Sequence, residues 1–309
     1  MKTDVRFDSA GLQLAGHFYS PDDDAAGPRA AIVVSHPASG VKEQAAGLYA
    51  QRLTALGYAT LTFDAAYQGE SEGMPRGLED PAHRVEDIKA AVSFLSAHGA
   101  VDPARIGVLG ICASGGYALS AAATDHRIKA VATVSGVDVA RQFRHGPDGT
   151  QAPAVIQGML DAAATARTAE ARGEGVGTFP IFPASGEEAL AAGGQHAFEG
   201  WEYYCTERAQ HPRSAKAFTW SSVDQLASFD AFRFIDLIAP RPILMVVGSK
   251  AVTSWMASEA YIAAREPKEV CWVEGASHVS LYDKDEHVTP AIARLDPFFR
   301  ANLTAAVPD

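Results

Sequence analysis

Arg105-Ile106-Gly107-Val108-Leu109-Gly110-Ile111-Cys112-Ala113-Ser114-Gly115-Gly116 runs from a short apolar strand through a tight turn into a helix start made of small residues. The turn has the form small-x-nucleophile-x-small. Such a turn holds one side chain in a strained, exposed position at the tip of a sheet, beside the backbone N–H groups of the next helix. Two residues compete for the apex. The apolar run ends at Leu109, so the turn begins at Gly110 and its apex is Cys112, flanked by Gly110 and Ser114. An apex at Ser114 needs Cys112 and Gly116 as flanks and a strand that continues through Gly110. Ser114 also suits the first turn of a helix, where a hydroxyl satisfies an unpaired N–H.

Outward from this turn, strands and helices alternate. Val5-Arg6-Phe7 and Leu12 to Tyr19 read as a hairpin joined near Ser9-Ala10-Gly11. A polar turn, Asp22-Asp23-Asp24-Ala25-Ala26-Gly27-Pro28, leads to the apolar run Ala30 to Ser35, which suits a parallel strand buried on both faces. Glu43 to Leu56 has helical spacing and stops at Gly57, and Tyr58 to Phe63 is the next strand. Arg84 to His98 reads as a helix, Ala113 to Thr124 as an Ala-rich helix, and Ile128 to Val134 as a strand. The pattern returns with Pro242 to Val247 (strand), Trp255 to Arg265 (helix), Glu269 to Val273 (strand) and Pro290 to Leu303 (helix). Between Val139 and Asp236 no clear strand stands out. A gap of about 95 residues is far longer than a loop, so it is an inserted, mainly helical subdomain. The expected class is α/β, with a mostly parallel, doubly wound sheet; residues 1–138 and 237–309 form its core and 139–236 a cap.

The 309-residue chain is 47% hydrophobic with a formal net charge of −11, which argues against nucleic acid and anionic membranes as partners. Its first residues lack the apolar stretch of a signal peptide, and no run reaches the ~20 apolar residues of a membrane span. The three cysteines, Cys112, Cys205 and Cys271, are far apart, as expected of free thiols in a cytoplasmic protein. No zinc-type Cys/His spacing and no phosphate-binding glycine pattern occurs, so neither a metal nor an organic cofactor is expected.

Four segments fall at strand C-terminal ends, where α/β sheets place their sites. They are the turn at Cys112; His36-Pro37-Ala38-Ser39-Gly40; Asp64-Ala65-Ala66-Tyr67-Gln68-Gly69-Glu70-Ser71; and Glu274-Gly275-Ala276-Ser277-His278. Together they resemble the α/β-hydrolase family, and the Cys-containing elbow looks most like its dienelactone-hydrolase branch. The resemblance covers the chain outside the insertion. It implies the order nucleophile, acid, histidine. Cys112 then matches the nucleophile, with Ser114 the alternative, and His278 matches the base. The N–H of Ala113 and one near Ala38 match the oxyanion hole. His36 reads as a structural residue shaping that loop.

The family's acid normally follows the strand read as Pro242–Val247, but Gly248-Ser249-Lys250-Ala251-Val252-Thr253-Ser254 holds no carboxylate. Asp138, one strand earlier, is the substitute; it also reads as a helix cap opening the insertion. A Cys-His dyad is the alternative, because a thiol ionises more readily than a hydroxyl. At a helix N-terminus near a histidine the thiol is expected to have a lowered pKa. Glu43, Asp64 and Glu70 are expected to brace loops. Of Tyr203-Tyr204, at most one ring can face a pocket.

The resemblance implies a hydrolase that cleaves a carboxylic ester, lactone or thioester of a small acyl substrate. The same machinery with water excluded is an acyltransferase. A small-molecule receptor on a decayed hydrolase scaffold is the non-catalytic alternative. A homodimer is compatible with the sequence.

Overall fold

In the computed structural model, which describes residues 1–23 and 27–304, eight strands form one sheet. They are β1 (Lys2–Ser9), β2 (Leu12–Tyr19), β3 (Arg29–Ser35), β4 (Ala59–Phe63), β5 (Val101–Ile111), β6 (Ile128–Val134), β9 (Ile243–Gly248) and β10 (Lys268–Val273), in the order β1-β2-β4-β3-β5-β6-β9-β10. All neighbours from β4 to β10 pair in parallel; β1 and β2 add an antiparallel hairpin. Ala10 and Gly11 close that hairpin with φ of 49° and 85°, the left-handed pair that a two-residue turn needs. Of the polar turn before β3, residues 24–26 lie outside the described residues, as do 305–309 at the end of the expected core.

Successive side chains of a strand point to opposite faces. Ala31 and Val33 of β3 and Ile106 and Val108 of β5 enter one apolar layer, under α2 (Pro81–Ala97), α3 (Ala113–Thr124) and α8 (Ser254–Ala263). Ile32, Val34, Leu109 and Ile111 enter the other, under α1 (Ala45–Thr54) and α9 (Asp285–Asn302). This double burial explains the nearly unbroken apolar runs of the central strands. β5 runs to Ile111, two residues past the expected end at Leu109.

Between β6 and β9 the chain leaves the main sheet and forms α4 (Val139–His145), α5 (Pro153–Ala171), β7 (Thr178–Pro180), α6 (Gly186–Cys205), β8 (Ala217–Thr219) and α7 (Ser221–Ser228). The segment is mainly helical, but β7 and β8 form a small antiparallel pair where no strand was expected. Three-residue strands carry too little periodicity to be read from sequence. Ile156, Ala163 and Val223 form a separate small core against Phe179 and Trp220. Among the described residues no helix is long and apolar enough to cross a membrane.

Candidate active site

Cys112 is the first residue beyond β5, held at φ 56° and ψ −121°, a strained conformation for a residue with a side chain. The small neighbours make the turn feasible. A Cβ on Gly110 would lie 2.0 Å from the Ser114 carbonyl oxygen, and one on Gly115 would lie 2.5 Å from Gly136 Cα. The carbonyl of Cys112 accepts from Gly115 N at 2.8 Å and Val137 N at 3.0 Å, tying the elbow to the end of β6. The thiol is packed on most sides yet opens on a cavity of about 410 Å³.

The backbone N–H groups of Ala113 and Ala38 and the phenol of Tyr282 stand beside the thiol. The two amides are the pair expected to form an oxyanion hole. The Ala38 loop is held from behind. Ser114 Oγ donates to the His36 carbonyl at 2.5 Å and lies 2.9 Å from Ser35 Oγ, while Arg84 donates to the same carbonyl at 2.9 Å and to Ser114 Oγ at 3.1 Å. Buried Arg84 is itself paired with Glu79 at 3.4 Å. Ser114 is fully buried, faces this brace and does not line the cavity, so the structure does not support it as the alternative nucleophile.

His36 is fully buried, with Nδ1 2.6 Å from the Pro37 carbonyl and Nε2 accepting from Ala65 N at 3.1 Å. Burial, then the charge of Arg84, holds its imidazole well below the usual pKa of 6.5. It shapes the loop, as expected. Asp64 and Glu70 clasp the buried Lys42 ammonium at 2.8 and 2.7 Å, and Glu43 joins them at 3.1 Å.

His278 follows β10 and faces the cavity. Its carbonyl accepts from Ser135 Oγ at 2.8 Å, which fixes the loop. Both ring nitrogens are engaged: Nδ1 with Thr253 Oγ1 at 2.7 Å and Nε2 with the Tyr282 hydroxyl at 2.9 Å. The ring of His196, from α6, stands edge-on to His278 with centroids 5.3 Å apart. Burial, with a further push from His196, holds His278 well below 6.5.

Asp138 does not reach His278, and the expected Cys112–His278–Asp138 triad is not formed. Its Oδ1 accepts from Ala140 N at 2.9 Å and Arg141 N at 3.3 Å, and its Oδ2 accepts from Ala231 N at 3.1 Å. It is the N-cap of α4, and both oxygens are committed to it and to the chain entering β9. The family's acid position is filled instead by Thr253. This residue precedes α8, where a threonine hydroxyl ordinarily caps the helix. Here it makes no side-chain capping bond and turns to the imidazole.

The expected lowered thiol pKa is also corrected. Burial pushes the Cys112 thiol up, and the donors around Sγ and the charge of Arg84 only partly offset this. A buried thiol and a buried imidazole, each desolvated, rest as a neutral pair rather than as thiolate and imidazolium.

The cavity wall is largely supplied by the inserted segment, including Phe143, Phe182, Phe218 and His196. Tyr204 lines it and its hydroxyl donates to the Ala38 carbonyl at 3.4 Å, while Tyr203 turns away and accepts from Ala45 N at 2.9 Å. One ring of the pair faces the pocket, as expected. Among the described residues, no Asp, Glu, Lys or Arg lines the cavity. Thr253, Tyr282, Arg84 and His196 escaped the sequence reading. The single local signal was the short His278–Tyr282 spacing, which one tight turn brings together.

A family model described as X-Pro dipeptidyl-peptidase (S15 family) matches residues 10–280. The chain belongs to the S15 family. This S15-family chain has the α/β-hydrolase fold. The uncharacterized protein YcjY of Escherichia coli K12 is 39% identical to it over 287 residues, covering 93% of each chain. The crystal structure of the hypothetical protein PA2218 from Pseudomonas aeruginosa superposes with a TM-score of 0.91 at 35% identity, covering 98% of this chain and 94% of that one. The α/β hydrolase GrgF from Penicillium sp. sh18 superposes at 0.83 with 24% identity, covering 98% of this chain and 99% of that one, a likeness of fold.

Proposed function

We propose that this S15-family chain is a thiol-dependent acyl hydrolase acting on neutral carboxylic esters and thioesters. The observation that carries this is the convergence of the Ala38 and Ala113 amides on the thiol at a strained elbow. His278 lines the same cavity as the thiol and bonds the Tyr282 hydroxyl at 2.9 Å. Cys112 attacks the acyl carbon, and the carbonyl oxygen gains the amides' hydrogen bonds as it becomes an oxyanion. His278 takes up the thiol proton and returns it to the leaving group. Water, activated by the same imidazole, then releases the acid. Because the thiol rests neutral, its proton leaves during attack rather than beforehand. The residues 139–236 act as the cap that shapes the acyl pocket.

The uncharged cavity lining supports the substrate class. Burying a substrate's charge without a partner is costly. A dipeptidyl substrate presents an α-ammonium and a carboxylated lactone an anion, and no oppositely charged side chain lines the cavity to receive either. A neutral acyl group bears no such cost. Attack on a thioester also exchanges one C–S bond for another, so the sulfur leaving group departs readily.

The test compares hydrolysis of p-nitrophenyl butyrate and a butyryl thioester with that of Gly-Pro-p-nitroanilide. The wild type is expected to cleave the two acyl substrates and leave the anilide intact. Cys112→Ala is expected to abolish turnover. Full activity in Cys112→Ala, or preferential cleavage of the anilide, would overturn the reading. Transfer of the butyryl group to an added alcohol faster than acid release would move it to acyl transfer.

A further inference from the structure

We infer that Tyr282 is a catalytic proton carrier, passing the Cys112 proton to His278 through its phenolic hydroxyl. This rests on the thiol reading above and deepens it.

The geometry comes from the fold. Tyr282 lies four residues beyond His278, at the end of a 3-10 turn (Ser280–Tyr282), with its N–H donating to the Val279 carbonyl at 3.0 Å. The turn is pinned by Tyr49, whose hydroxyl donates to the Leu281 carbonyl at 2.7 Å. The ring of Tyr282 is buried edge-on against Tyr203, centroids 5.2 Å apart. Its hydroxyl therefore has a fixed place, 2.9 Å from His278 Nε2, and it lines the same cavity as Cys112 and His278. Thr253 holds Nδ1, so the basic nitrogen left for the thiol is the one Tyr282 occupies.

One arrangement of protons satisfies every group in this chain. The thiol donates to the phenolic oxygen, the phenol O–H donates to Nε2, and Nδ1–H donates to Thr253 Oγ1. During attack the S–H bond breaks as the C–S bond forms. The thiol proton moves onto the phenolic oxygen while the phenol's own proton moves onto Nε2, and the carbonyl π pair moves onto oxygen under the Ala38 and Ala113 amides. Tyr282 is a neutral phenol before and after, so no phenolate is required. When the intermediate collapses, the imidazolium returns its proton to the leaving atom, and the bond from the acyl carbon to that atom breaks.

The hydroxyl is removed in Tyr282→Phe, which keeps the ring and its packing. The expected result with p-nitrophenyl butyrate is a fall in the acylation rate of about 100-fold with KM little changed, in line with loss of a positioned proton-transfer group. The solvent isotope effect on acylation is expected to vary non-linearly with deuterium fraction in the wild type, where two protons move, and linearly in Tyr282→Phe. Incorporating 3-fluorotyrosine at 282, which preserves shape and lowers the phenol pKa, is expected to change the rate without changing the melting temperature. An acylation rate within twofold of wild type in Tyr282→Phe would overturn the relay, and a faster rate would make Tyr282 a spacer that holds base and thiol apart. Failure of the hydrolase reading has a different signature, wild-type protein that never acylates Cys112.

Discussion

His36 and His278 follow parallel strands at the same end of the sheet, both are buried, and both are held neutral. Their partners differ. His36 is fixed by the carbonyl of Pro37 and the amide of Ala65, with Arg84 beside it. Backbone partners cannot exchange protons with the ring, and the neighbouring guanidinium opposes a second proton. His278 is held by two hydroxyls, Thr253 and Tyr282, and opens on the cavity. A hydroxyl can accept and donate at once, so the same depth of burial produces a rigid bracket in one loop and, in the proposed mechanism, a proton-transfer site in the other.

Replacing each histidine by alanine is the strongest way to break this contrast. His278→Ala is expected to lower kcat/KM by about 10³-fold, at the middle of the range for a general base. His36→Ala is expected to act mainly on stability. Stranding the buried Ala65 amide costs about 2 kcal/mol, a fall in melting temperature of about 5 °C. Calorimetry and ester hydrolysis on both variants check this; equal losses of activity with equal losses of stability would erase the distinction.

Thr253→Val sharpens it. Without an acceptor at Nδ1 the imidazole is free to take the wrong tautomer, and kcat is expected to fall about tenfold, within the range of a single hydrogen bond. Thr253→Asp supplies the carboxylate that the family pattern places there. It is expected to raise the pKa of His278 and move the acid limb of the kcat/KM profile, which lies below pH 6.5 in the wild type, to higher pH. An unmoved acid limb in Thr253→Asp would mean that Nδ1 does not face residue 253.

The pH dependence of stability should report both imidazoles. In the unfolded chain they protonate near 6.5, whereas in the fold they resist protons to lower pH. Unfolding therefore takes up protons in acid. Stability from these groups is present above pH 6.5 and lost as pH falls toward their folded values. Asp87 works against this in part of the same window. Burial pushes its carboxyl up to about 6 from 3.8, which loses stability as pH rises between those values. His36→Gln is accordingly expected to flatten the difference in urea-unfolding free energy between pH 5 and 7 relative to wild type.

The smallest effect is expected at Asp138. Asp138→Asn keeps a cap on α4, so stability is expected to fall by no more than about 1 kcal/mol and kcat to stay within twofold. A loss of a hundredfold would return Asp138 to the reaction.

Asp138 also shows where the sequence misleads. An acidic residue after a strand and before a helix reads alike as a cap and as a catalytic acid, and only the distance to His278 separates the two. The elbow was legible because its chemistry is local. An apolar strand, Gly110, Cys112 and Gly115 must be contiguous to make the turn, and the doubly buried strands must be continuous apolar runs. Ala38, Ala113 and His278 stand out through the family resemblance, which rests on segments just beyond strand ends. Thr253 and Arg84 do not, because each looks like an ordinary residue at a helix start and meets its partner only through the packing of separate elements. The thiol's raised pKa is hidden from the sequence for a related reason. Helix N-terminus and histidine are visible in sequence, whereas desolvation depends on the cavity walls that the inserted segment supplies.

Trapping an acyl intermediate distinguishes a Cys112 nucleophile from every other. The protein is mixed with p-nitrophenyl butyrate, quenched in acid within the first turnover and analysed by intact and fragment mass spectrometry. One butyryl group is expected on Cys112, released by neutral hydroxylamine as a thioester is, and absent from Cys112→Ala. A hydroxylamine-resistant butyryl group on Ser114, or turnover by the wild type with no acyl group on Cys112 at any quench time, would contradict it.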